Sequence, residues 1–345
     1  MKLFPAVLMG GIVCFLGGAA PADIIVQTVA VADLGNVADD TTYGSVAYGY
    51  SMGKFEITAG QYTAFLNAVA GTDPYNLYKS TTGALPMWTD AKGCKIERYA
   101  GNGTAGNPYQ YRVAADYADR PVNFIAWDDA ARLANWMHNG QPTGLLTGTP
   151  ADDAGLTEDG SYYVNGAITG AAIGLITRKT DATWVIPTED EWYKAAYYKG
   201  GSTSAGYWEY ATQNDSQPAN TLVSPDPGNN ATYRIGASGY TIGSPYYRTL
   251  VGDHENSESA YGTFDQSGNI QEWTEAQPSA GSSQRYMRGG SFDQTLGNFA
   301  AATRASVASG GNGFSTNGFR LAYVPEPATL ALLGLGCLGI LGRRR

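Results

Sequence analysis

Ile186-Pro187-Thr188-Glu189-Asp190-Glu191-Trp192 compresses a change of secondary structure into seven residues. Trp184 to Ile186 is a short β-like run, and Pro187 both ends it and removes a backbone donor. Thr188 and Glu191 have the spacing of a capping box, in which each side chain satisfies the other's backbone N–H at a helix start. Trp192, Ala195 and Ala196 then form the buried stripe, and Gly200-Gly201 stops the helix. Upstream, a second helix runs from about Asp128 to Asn139, with Ala130, Leu133, Ala134 and Met137 inward and Gly140 as its stop. A first helix spans Thr58 to Ala70, with Tyr62, Phe65, Leu66 and Val69 on one face and a Thr58/Gln61 capping box. Elsewhere short β-like runs, Ser45 to Tyr50, Arg285 to Arg288 and Gly318 to Tyr323, are broken by Gly, Asn, Asp and Pro. There is no internal repeat and no Pro- or Ser-rich linker, so the pattern predicts one α+β domain with much irregular backbone.

Composition narrows the functions open to such a domain. The 345 residues are 43% hydrophobic and 15% charged, which excludes disorder over the whole chain. A net charge of -9 argues against nucleic acid as a partner, since phosphate binding needs clustered positive charge. The 45 glycines predict turn-dense structure, and the 24 tyrosines supply rings for a core or a wet binding surface. Only His138 and His254 are present, too few for most zinc, iron or copper centres. Cys14 and Cys337 lie in apolar terminal runs, which leaves Cys94 as a lone small filler and rules out an internal disulfide. The adjacent acids Asp128-Asp129 and Asp152-Asp153 are expected to be solvated or capping, and His254, between Asp253 and Glu255, to be a solvated loop residue.

Both termini carry addresses. Lys2, the apolar stretch Leu3 to Gly18 and Ala19-Ala20-Pro21-Ala22 have the order of a secretory signal peptide, so residues 1–22 imply the Sec translocation machinery as a partner. At the other end, Pro325-Glu326-Pro327 is followed by an uncharged run from Ala328 to Gly342 and then Arg343-Arg344-Arg345. That run is short for a transmembrane span, which needs roughly twenty residues, but the basic stop behind it holds a C-terminus on the cytoplasmic side. Residues 324–345 resemble the PEP-CTERM sorting signal of Gram-negative bacteria. The resemblance implies an exosortase as processing partner and a protein destined for the cell surface, outer envelope or extracellular matrix after transient anchoring in the inner membrane.

Between the addresses, residues 23–323 carry six blocks in order over about 280 residues. They are Met52-Gly53-Lys54-Phe55-Glu56-Ile57-Thr58, Arg120-Pro121-Val122-Asn123 with Trp127-Asp128-Asp129-Ala130, Ile186 to Trp192, Gly268-Asn269-Ile270-Gln271-Glu272-Trp273, Arg288-Gly289-Gly290-Ser291-Phe292 and Gly318-Phe319-Arg320. This succession resembles the formylglycine-generating enzyme, or sulfatase-modifying factor, domain family. The resemblance implies a C-type-lectin-like α+β fold with little regular secondary structure. Founding members oxidise a sulfatase cysteine with copper and oxygen; relatives include iron-dependent sulfoxide synthases and non-catalytic domains. In copper-dependent members two thiolates follow the Gly-Gly-Ser block, but here Gln294 and Phe299 fall near those positions. Neither side chain can replace a thiolate on Cu(I), so copper is not expected.

Calcium asks only for oxygens. The resemblance implies a structural calcium held by the side chains of Asp265 and Glu272 and the carbonyls of Gly268 and Ile270, and a second site beginning at Asn220 and Thr221 and ending near Asn230. Trp127, Trp192 and Trp273 are expected in the core. Two functions compete: a non-catalytic surface or matrix module that binds a saccharide or a protein, and an oxidoreductase of the formylglycine-generating class with its cleft near Ser291 and Arg304. Loss of Lys2 and the three terminal arginines would leave 18 positive residues against about 31 acids, a mature charge of about -13.

Overall fold

The computed structural model describes residues 23–80, 86–311 and 313–325, so the signal segment and the sorting tail from Glu326 onward lie outside the described residues. Its elements are β1 (Thr28–Val31), β2 (Tyr50–Gly53), α1 (Ala59–Val69), β3 (Ile96–Ala100), β4 (Gln110–Val113), α2 (Trp127–His138), α3 (Gly170–Ile173), β5 (Trp184–Val185), α4 (Glu189–Tyr197), β6 (Arg234–Ile235), β7 (Gly239–Tyr240), β8 (Gln271–Trp273), β9 (Gln284–Arg288), β10 (Ala305–Ala308), β11 (Asn317–Gly318) and β12 (Ala322–Tyr323). Long connections join them.

Two four-stranded sheets organise the molecule. The first has the order β1-β2-β12-β5, all antiparallel, so the last strand inserts between two earlier ones. The second has the order β10-β9-β8-β11, with β11 parallel to β8 and the other pairs antiparallel. The expected single strand over Gly318 to Tyr323 is thus two strands in different sheets. Between them Phe319-Arg320-Leu321 crosses the seam, and Gly53 is required there because a Cβ would meet the Leu321 carbonyl at 2.7 Å.

The capping boxes at Thr58/Gln61 and Thr188/Glu191 are both formed, and the expected apolar stripes of α1 and α4 are buried. Helix α2 differs from a one-faced helix: every residue from Trp127 to Met137 is buried. Its charged side chains are paired internally: Arg132 with Asp128 at 2.9 Å and Glu158 at 2.7 Å, and Asp129 with Lys79 at 2.9 Å. Asp129 also accepts the Ala126 N–H at the helix start. Asp128-Asp129 therefore caps and pairs rather than meeting solvent. Asp153 is likewise buried, accepting from Thr147, Gly148 and the Tyr75 hydroxyl, while Asp152 is exposed.

The β-like run expected at Ser45 to Tyr50 becomes a strand only at Tyr50. Asn36 captures the preceding backbone by donating to the Gly44 carbonyl and accepting from the Val46 N–H, which removes the groups a ladder would use. Trp127, Trp192, Trp273 and Cys94 are fully buried. Burial also pushes the Cys94 thiol up, away from the thiolate form that reacts.

Candidate functional site

The turn after β9 carries the Gly-Gly-Ser block. Gly289 and Gly290 have φ of 88° and 67°, and a Cβ on Gly290 would strike the Phe299 ring at 2.5 Å. Only glycine can pass so close, and the turn delivers Ser291 to a position with no solvent exposure. Phe292 then donates its N–H to the Asn269 carbonyl at 3.0 Å, tying this turn to the loop before β8. On the other side, Asn317 pairs with Gln271 in the β11 and β8 register, and Asn123 donates to the carbonyls of Lys92 and Ser315 at 2.8 and 2.7 Å.

These converging loops hold an unusual set of buried polar atoms. Ser291 Oγ, both side-chain heteroatoms of Asn269, Gln294 Oε1, Asn317 Nδ2 and Asn123 Oδ1 have no hydrogen-bond partner within the protein. A buried group left unpaired costs about 1–3 kcal/mol, so native structures keep few of them away from sites that pair with something else. Beside them lies a charged aromatic rim. Lys92 Nζ lies 2.5 Å from Asp293 and within 5.5 Å of the Tyr240 and Tyr247 ring centres, and the Tyr240 hydroxyl donates to Asp293 at 2.8 Å. Arg234 reaches the same carboxylate at 3.5 Å. Tyr240 and Tyr247 are half-buried, leaving part of each ring to solvent. The sequence offers no spacing signal for this rim, since Lys92 and Asp293 are 201 positions apart.

Neither position expected near the copper thiols suits the metal. Phe299 is fully buried and packs on Tyr233 with ring centres 5.2 Å apart, so its site is part of an apolar cluster with Tyr210 and Ala231. Gln294 is held by its backbone, donating to Ser291 and accepting from Arg234, and presents an amide. A ring and an amide give Cu(I) no thiolate. Arg304 pairs with Glu189 at 2.7 Å and lies 3.6 Å over the Tyr286 ring.

The residues expected to hold calcium are also committed. Glu272 is fully buried and accepts from Arg320 at 2.6 and 2.7 Å and from the Trp192 indole at 2.7 Å. A guanidinium that already neutralises this carboxylate takes the electrostatic place of a cation, so Glu272 does not fit a calcium ligand. Asp265, with φ of 61°, accepts the Gly252 N–H at 2.7 Å. Gly268 donates to Gly289 at 2.7 Å, and Ile270 is buried in the core. Asn220 donates to Gly239, and Thr221 donates to Asn230 at 2.8 Å. His254, expected in solvent, is buried with Nε2 at 3.0 Å from the Thr232 hydroxyl.

A model of the sulfatase-modifying factor enzyme 1-like domain matches residues 33–324. The chain belongs to the sulfatase-modifying factor family. Its mixture of short helices and small sheets is the formylglycine-generating-enzyme type of α+β fold. Among solved structures it is similar to Treponema denticola variable protein 1, at 18% identity over 86% of this chain and 95% of the other, with a TM-score of 0.47. It is also similar to CarF, at 20% identity over 87% and 99% of the two chains with a TM-score of 0.46, and to PvdO from Pseudomonas aeruginosa, at 17% over 87% and 91% with a TM-score of 0.41. No curated protein sequence matches the chain. A PEP-CTERM protein-sorting motif matches residues 324–345 and marks this family member for export, surface sorting in a Gram-negative bacterium and exosortase-dependent processing.

Proposed function

We propose that this family member is a non-catalytic binding module displayed at the cell surface or in the extracellular matrix, and that the rim formed by Tyr240, Tyr247, Lys92 and Asp293 recognises a saccharide. The carrying observation is the buried Phe299 ring near one expected thiol position, packed on Tyr233 beneath the Gly289-Gly290 turn. A buried phenyl ring at that position supports a domain that works without a copper-thiolate centre. The half-exposed rings of Tyr240 and Tyr247, beside the half-buried Lys92 and Asp293, have the chemistry of sugar recognition: a flat apolar face for stacking and fixed polar atoms for hydroxyls. The sorting tail would anchor the protein in the inner membrane only until exosortase acts.

The test pairs binding with turnover. On a glycan array and in pull-downs with the host's exopolysaccharide, the mature domain should bind, and Tyr240→Ala with Tyr247→Ala should lose most of that signal. Incubation with copper and a Cys-x-Pro-x-Arg peptide should leave the peptide mass unchanged. Blank binding assays would sink the saccharide reading, and conversion of the thiol to an aldehyde would establish the oxidoreductase alternative.

A further inference from the structure

The aromatic rim carries more positive than negative charge. Lys92 and Arg234 share one carboxylate, Asp293, at 2.5 and 3.5 Å, and the three side chains are 27%, 27% and 24% exposed, so a ligand in solution can reach them. Behind the rim Arg248 is fully buried, 5.6 Å from the centre of the Phe292 ring that Lys92 Nζ approaches at 5.8 Å. It donates to the carbonyls of Pro121, Lys92 and Gly93 and has no carboxylate partner among the described residues. Burial lowers its pKa only to about 10, so it stays cationic at neutral pH. Asp90, whose carboxylate accepts the Lys92 backbone N–H at 2.7 Å, is balanced by Lys95, whose ammonium donates to the Asp90 carbonyl at 2.5 Å. Three cations, Lys92, Arg234 and Arg248, thus stand against one carboxylate in a chain whose net charge is -9. Arg234 also keeps donors free: Nε goes to the Asp293 carbonyl and Nη1 to the Ala237 carbonyl, while Nη2 makes no hydrogen bond among the described residues.

Resting on the reading of this rim as a saccharide surface, we infer that its ligand is a sugar bearing a carboxylate, as a uronate does, with the sugar ring against Tyr240 and Tyr247 and the carboxylate beside Arg234 and Lys92. A guanidinium with an open edge meets a carboxylate through charge-assisted hydrogen bonds, roughly twice as strong as neutral ones. Lys92 adds to this, because its ammonium has three N–H groups and only Asp293 and the Tyr240 hydroxyl, at 3.4 Å, engage them. A neutral sugar leaves the positive excess unanswered, and a cationic ligand meets repulsion from it. The acidity of the rest of the chain confines the preference to this rim.

Calorimetric titration of the mature domain with trigalacturonate and with its methyl ester separates the carboxylate from the sugar ring. At neutral pH the acid should bind about tenfold more tightly than the ester, and added salt should shrink that advantage. Arg234→Gln and Lys92→Gln should each narrow the preference to about threefold or less, with circular dichroism and melting temperature showing an intact fold. Equal binding of acid and ester by the wild type overturns the inference and leaves a neutral-sugar reading of the rim standing. A preference that both variants retain in full also overturns it, since the carboxylate then sits elsewhere. If neither compound binds, the glycan array decides: signals on other carboxylated glycans support the class, signals confined to neutral glycans overturn it, and a blank array removes the saccharide reading itself.

Discussion

At the scale of single residues, buried charge decides more than any surface feature. Arg320 sits at the seam between the two sheets, donating to the Gly53 carbonyl at 2.9 Å and the Phe264 carbonyl at 2.7 Å besides pairing with Glu272. Both partners of the pair are fully buried. Replacing one member strands the other, so Arg320→Met should cost about 3–5 kcal/mol in urea unfolding, and adding Glu272→Gln should recover part of the loss. Phe299→Ala should cost a similar amount, about 3–5 kcal/mol, because the ring fills a closed apolar cluster. Glu56 carries a pH signature. Burial first, and then the negative charge of Asp265, raise its carboxyl well above the ordinary value of 4.5, with Glu272 acting in the same sense and Arg320 opposing. The folded protein therefore holds a proton that the unfolded chain releases, and stability falls as pH rises from about 4.5 toward the raised value. Glu56→Gln should remove that part of the slope in melting temperature between pH 4 and 8; an unchanged slope would refute the assignment.

At the scale of elements, local signals were reliable where one helix turn could satisfy itself. The Thr188/Glu191 box is legible because the two residues are three apart and exchange hydrogen bonds at 3.1 and 2.7 Å. Thr188→Ala should lower stability by about 1 kcal/mol in chemical denaturation, since the cap N–H groups then lose a fixed acceptor. Strands were less legible. Gln271 to Trp273 is buried at every position, so it lacks the alternation that marks a strand with one wet face. Gly318 to Tyr323 read as one run, yet its two ends join different sheets, a choice made by partners about 50 and 270 residues away. Helix α2 looked amphipathic because its acids and Arg132 are charged; the ion pairs that bury them involve Lys79 and Glu158, which no helical period reports.

At the scale of the whole molecule, the C-terminal sorting motif marks an acidic chain for export. The formal net charge of -9 disfavours anionic polymers as general partners. The cleft rim, where Lys92 and Arg234 converge on Asp293, is a local exception. In the host, mass spectrometry of the surface-extracted protein should find the tail absent. Replacing Pro325-Glu326-Pro327 with alanines should leave the tail attached and the protein in the inner-membrane fraction. Release of the variant with normal mass would show that the motif does not direct processing.

The sequence by itself determined the family, the caps of α1 and α4, the aromatic core and the absence of cysteine from Phe292 to Ala300, because each depends on residue identity or on spacing within a few positions. Tertiary structure alone decided that Glu272 belongs to Arg320, that Asp128 and Asp129 are buried, that His254 leaves solvent, and that Glu56 is buried without a hydrogen-bond partner. Those outcomes rest on which charges are brought together after the last strand closes the first sheet. Long-range pairing of this kind is set by three-dimensional packing and desolvation, which leave no periodic trace along the chain.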